Sequence, residues 1–115
     1  MKYYNAIVPG ELVEKLYNAG YSNFATFNIE NNKVAHIEET YATIFDGLME
    51  KDISIEIEPE QILGGWLCAI ERISEREIFT GNAPFSTWHE AANAAIEKAI
   101  EILKEKGAEE SAPRK

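Results

Sequence analysis

The sequence has one cysteine, Cys68, so it can form no internal disulfide and carries no CxxC metal motif. No stretch approaches the roughly 18 consecutive apolar residues that a membrane-spanning helix needs. The N-terminus lacks the basic and long apolar regions of a secretory signal. Positive charge is scarce: 11 Lys and Arg stand against 20 Asp and Glu, a net charge of −9. Nucleic-acid affinity rests on Lys and Arg contacts to phosphate, so direct binding to DNA or RNA is not expected. There are 2 histidines, His36 and His89, far apart in the chain. No DxDxDG loop is present, and no GK[ST] or GxGxxG accompanies Gly64-Gly65, which argues against calcium and phosphate loops. These absences lead us to expect a cytoplasmic, non-membrane protein with no cofactor and no metal.

What is present is ordinary globular composition. The chain has 115 residues, 45% apolar and 27% charged, enough for one domain whose core needs no staple. We expect that domain to span residues 1–106. Residues 107–115 hold small and charged residues, a proline and no large apolar group, and are expected to be a disordered tail. The acidic excess is −4 in residues 1–52 and −5 in residues 53–115. A charge spread so evenly reads as a solvated surface with a mild anionic field.

Periodicity predicts the elements. Lys2 to Val8 reads as a short extended segment ended by Pro9. Leu12, Val13, Leu16 and Tyr17 make one face of a helix over 10–19, with Gly20 placed to take the left-handed conformation that closes it. Phe24–Ile29 and Val34–Ile37 flank Asn31-Asn32 and read as a hairpin. A helix over 40–51 carries the stripe Tyr41, Ile44, Phe45, Leu48 and Met49, with Thr40 as its cap and Gly47 weakening it by about 1 kcal/mol. Ile53-Ser-Ile-Glu-Ile-Glu58 alternates apolar and polar residues and is the clearest strand, ended by Pro59. A second strand runs from Trp66 to Ile73. It reverses at Ser74-Glu75 and returns over Arg76–Thr80, with Glu71, Arg72, Arg76 and Glu77 offsetting one another across strands. Thr87-Trp-His-Glu90 is a capping box that opens a helix over 87–106. Its buried stripe is Trp88, Ala92, Ala95, Ile96, Ala99, Ile100 and Leu103, while Glu97, Lys98, Glu101, Lys104 and Glu105 face water.

The order is α-β-β-α-β-β-β-α. One-sided strands must bury their apolar face, and the helices carry matching stripes. The expected class is therefore α+β: an antiparallel sheet of about four to six strands with helices packed on one face, a two-layer sandwich.

Two stretches carry a resemblance. One is Thr40-Tyr41, Phe45-Asp46 and Glu50-Lys51-Asp52-Ile53-Ser54-Ile55-Glu56-Ile57-Glu58-Pro59. The other is Trp66 and Ile70-Glu71-Arg72-Ile73, followed by Phe85-Ser86-Thr87-Trp88, Glu90-Ala91-Ala92 and the apolar positions to Leu103. Together they resemble a family of small uncharacterised proteins of gut anaerobic bacteria, their phages and mobile elements. Gly47 departs from the family pattern, which has a bulky aromatic after the Asp46 position. The resemblance covers about residues 10–105, and its motifs are a strand, a turn and a capped helix. It implies an intracellular phage or mobile-element context and supplies no catalytic residues.

Catalysis needs positioned nucleophiles and bases. Cys68 sits mid-strand among apolar residues and reads as a small buried hydrophobe, and His36 and His89 read as surface or half-buried imidazoles. Glu56, Glu58 and Glu60 share one side of a strand and read as a solvated face. The double-stranded RNA-binding fold also packs helices on a sheet, but its basic residues are absent here.

The leading function is a non-enzymatic protein-interaction module, a phage or mobile-element accessory factor. It would dock on another protein or pair with itself as a homodimer through an exposed sheet edge. The alternative is an acidic nucleic-acid mimic that inhibits a host DNA-binding or defence enzyme. A mimic would bind in a steeply salt-dependent way, whereas an apolar patch would tolerate salt. Topology also nominates a contact site. Loops 59–65 and 81–86 must lie side by side at the start of the last helix, which gathers Gln61, Ile62, Leu63, Trp66, Phe85, Trp88 and His89.

Overall fold

The computed structural model describes residues 3–21, 28–30, 33–36, 39–80 and 84–111, of which 28–30, 33–36 and 107–111 are described by backbone alone. The expected strand positions 24–27 and 37, the turn Asn31-Asn32, loop residues 81–83 and tail residues 112–115 lie outside these. The fold class is α+β, with three α-helices, a three-stranded antiparallel sheet and a separate two-stranded ladder among the described residues.

Helix α1 spans Gly10–Asn18 and buries Leu12, Val13 and Leu16. Gly20 has φ +105, and beyond it the Tyr21 N–H reaches back to the Leu16 carbonyl at 3.0 Å while the Gly20 N–H reaches Tyr17 at 3.1 Å. This paired closure needs the left-handed turn that glycine takes without strain. Strands β1 (Asn28–Glu30) and β2 (Lys33–His36) pair as the expected hairpin, with Glu30 opposite Lys33. Helix α2 spans Tyr41–Glu50; the Thr40 hydroxyl accepts from the Thr43 N–H at 3.2 Å, as a cap should. Tyr41, Ile44, Phe45 and Leu48 are buried, but Met49 is 55% exposed and drops out of the expected stripe.

Strands β3 (Ile53–Pro59), β4 (Trp66–Arg72) and β5 (Glu77–Thr80) form the sheet in that order. Helix α3 spans Trp88–Ser111 and packs on β4 and β3, α2 packs on β3, and α1 packs on α3. Ala91, Ala92, Ala95 and Ala99 of α3 are fully buried beside Ile96 and Ile100, so the helix lies close to its neighbours through small side chains. The Thr87 hydroxyl accepts from the Glu90 N–H at 3.1 Å and starts the helix where expected. The helix continues past residue 106, where sequence alone ended it, to Ser111.

Four further features differ from expectation. The sheet has three strands, not four to six, because the hairpin pairs with itself and forms its own ladder among the described residues. A local turn is enough to pair β1 with β2, whereas joining the larger sheet needs a long-range register that alternation does not encode. Residues Tyr3–Asn5 form a 3-10 turn rather than an extended segment. An extended chain would send Tyr3 and Tyr4 to opposite faces, but here both rings meet Trp88, at 5.3 and 5.1 Å between centroids.

The reversal after β4 is a 3-10 turn over Ile73–Glu75, with Arg76 in the left-handed region at φ 52, so β5 begins at Glu77. Asp52 holds this turn by accepting from the Ser74 N–H at 2.9 Å and from the Ser74 hydroxyl. The charges also sort differently. Arg72 alone meets Glu75, Glu77 and Glu105, at 3.9, 3.7 and 3.3 Å, since Glu71 points to the opposite face of the sheet.

Candidate interaction surface

The chain between β3 and β4 is locked at both ends. The Glu60 N–H donates to the Gly65 carbonyl at 2.9 Å, and the Glu60 carboxylate accepts from the Ile62 N–H at 2.7 Å. Gly64 and Gly65 have φ +80 and +86. A Cβ on Gly65 would lie 2.5 Å from the Phe85 carbonyl oxygen, so only glycine lets the two segments touch here. Next along the chain, Trp66 and Phe85 exchange both backbone bonds, at 2.8 and 2.7 Å. Residues 60–65 and 84–86 therefore lie side by side at the start of α3, where topology placed them.

The seven nominated residues divide into two groups. Gln61, Ile62 and Leu63 project into solvent, with Ile62 90% and Leu63 80% exposed. Trp66, Phe85 and His89 are half-buried, and Trp88 is 2% exposed, which makes it a core residue rather than a contact residue. Trp88 anchors α3 to a cluster of rings. Tyr3 stacks on it at 5.3 Å and 11°, and Tyr4, Tyr41 and Phe45 surround it. The Tyr3 ring also meets Trp66 edge-on at 5.6 Å and His89 at 5.9 Å.

Sequence reasoning missed Tyr3 and Tyr4. They arrive because the N-terminal segment bonds back to residues 39–41: Val8 N–H to Glu39 at 2.8 Å and Tyr41 N–H to Ala6 at 3.2 Å. Two adjacent tyrosines before a proline were the only signal, and nothing local aims them at a helix 85 positions away.

Between the sheet and α3, Cys68, Ile70, Phe79, Phe85 and Ala94 line a cleft of about 320 Å³. Its one ionic group among the described residues is Lys98, which lies 4.4 Å over the Phe79 ring and pairs with Glu101 at 3.1 Å. Burial pushes the Cys68 thiol above its ordinary value, so at neutral pH it stays protonated and weakly nucleophilic. Burial likewise raises Tyr41, whose hydroxyl donates to Asn93 at 2.6 Å.

Among the described residues no His, Cys, Asp or Glu side chains cluster to hold a metal ion, and no helix is long and apolar enough to cross a membrane. Compared with protein-family models, curated proteins and solved structures, the chain matches none.

Proposed function

We propose that this chain is a non-enzymatic protein-interaction module whose contact element is the loop 60–65. The observation that carries this reading is the exposure of Ile62 and Leu63 on a loop held by its own backbone bonds. Two adjacent large aliphatic side chains in water are unfavourable, and a pre-ordered loop loses little further entropy when a partner covers it. Half-buried Trp66, Phe85 and His89 supply a mixed rim, and Gln61 adds a hydrogen-bonding group. In this reading the helices and the sheet form the two layers of one rigid scaffold that presents the loop. The lone cysteine fits a reducing cytoplasm, and the resemblance to phage and mobile-element proteins suggests an accessory role there. The partner is another protein or a second copy of the chain.

The test is the double variant Ile62→Asp with Leu63→Asp. Both side chains are exposed, so circular dichroism and the thermal midpoint should match the parent while partners in a native-host pull-down disappear. An unchanged fold with unchanged partners would refute the assignment. Light scattering separates the two kinds of partner. A mass that rises above 13.0 kDa with concentration, and stays at 13.0 kDa in the double variant, identifies a second copy.

A further inference from the structure

The outer edge of β3 carries an inference independent of that loop. β3 has one strand neighbour, β4, and among the described residues no backbone bond engages its other side. The direction of each backbone group follows from the pairing. Trp66 gives its N–H and carbonyl to Phe85, so it turns away from β3. Alternation then turns Leu67, Ala69 and Glu71 toward β3, where their register partners are Glu58, Glu56 and Ser54. The Asp52 carbonyl, bonded by the Ile73 N–H at 2.9 Å, has the same parity. The N–H and carbonyl groups of Ile55 and Ile57 therefore point outward. Pro59 has no N–H and ends the row of donors.

The side chains beside this row are sorted by face. Ile55 and Ile57 lie on the core side yet remain only half-buried, at an edge where β3 has no strand neighbour among the described residues. Glu56 and Glu58 lie on the opposite face and are exposed. An added strand would set its own alternate side chains beside each set. Beside Ile55 and Ile57, apolar side chains complete the burial. Beside Glu56 and Glu58, cationic side chains balance the carboxylates. A second copy of β3 does the reverse, crowding the same carboxylates of two chains on one face.

We propose that the β3 edge accepts, by strand addition, an extended segment of a partner protein in which Lys or Arg alternates with apolar residues. Pro59 limits the segment to about five paired residues, since the ladder loses its donor there.

The test is amide hydrogen exchange on the full chain with the peptide acetyl-Lys-Val-Lys-Val-Lys-Val-Lys-amide. In the free protein, Ile55 and Ile57 amides should exchange fast and the intervening Glu56 amide slowly. The peptide should bind saturably and slow Ile55 and Ile57 by about tenfold or more. A peptide of the same composition with its lysines and valines in two blocks should not. Glu56→Lys with Glu58→Lys alters only exposed side chains. It should abolish binding of the Lys-Val peptide and admit its Glu-Val counterpart.

Slow Ile55 and Ile57 amides in the free protein would show the edge already covered and overturn the proposal. Equal binding of the blocked peptide, or no effect of charge reversal, would overturn it as well. The variant Ile62→Asp with Leu63→Asp should bind the peptide like the parent; loss of binding there would move the peptide to the loop and refute the edge.

Discussion

Gly47→Ala should destabilise the protein, although helix propensity alone predicts the opposite. Alanine is favoured over glycine inside a helix by about 1 kcal/mol. At Gly47, however, an added Cβ would lie 2.8 Å from Cε2 and 2.9 Å from Cζ of Tyr21, and closer still to its hydroxyl oxygen. Tyr21 has little room to retreat: it is 1% exposed, its ring meets Tyr17 edge-on at 5.4 Å, and its hydroxyl donates to the Thr43 carbonyl at 3.4 Å. Overpacking of this kind costs about 1–3 kcal/mol, and a displaced hydroxyl adds about 1 kcal/mol. Set against the propensity gain, the net loss is about 1–3 kcal/mol, or roughly 4–12 °C in the thermal midpoint of a chain this size. Urea and thermal unfolding followed by circular dichroism would measure it. Gly10→Ala is the control, since a Cβ there meets nothing within 4 Å and should be neutral or slightly stabilising. In a Tyr21→Phe background the Gly47→Ala penalty should shrink, because the closest contact is gone. A Gly47→Ala protein that gains about 1 kcal/mol would refute the packing argument outright.

Four further outcomes are expected. Ala95→Leu places three extra carbons at a fully buried position and should cost about 1–3 kcal/mol in urea unfolding. Glu97→Gln, which loses only the exposed pair with Lys15 at 3.2 Å, should stay within about 0.5 kcal/mol. The raised Tyr41 value means the native state holds that proton more tightly than the unfolded chain does. Its stabilising contribution is complete below the unfolded tyrosine value and is lost as pH rises through the folded one, so Tyr41→Phe should flatten the alkaline limb of a stability-against-pH curve. Cys68, buried and held protonated, should react with iodoacetamide at pH 8 many-fold more slowly in the folded chain than in urea; equal rates would place it at the surface.

Local chemistry alone determined the element order. Alternation along 53–58, the Thr40 and Thr87 caps, Gly20 after α1 and the alanine stripe of α3 each act within a few residues, so each could be read without a neighbour in space. The nearness of loop 60–65 to Phe85 was also legible, because antiparallel hairpins return a chain to where it left.

Tertiary structure decided what depends on distant partners. It turned Tyr3 and Tyr4 onto Trp88, gave Arg72 to three carboxylates, and buried Trp88 while leaving Ile62 and Leu63 in water. It also set the hairpin apart from the main sheet and reversed the sense of Gly47. Gly47 shows why: in isolation a helical glycine is a weakness, and only the ring of Tyr21, brought against it by the fold, makes the missing side chain a requirement.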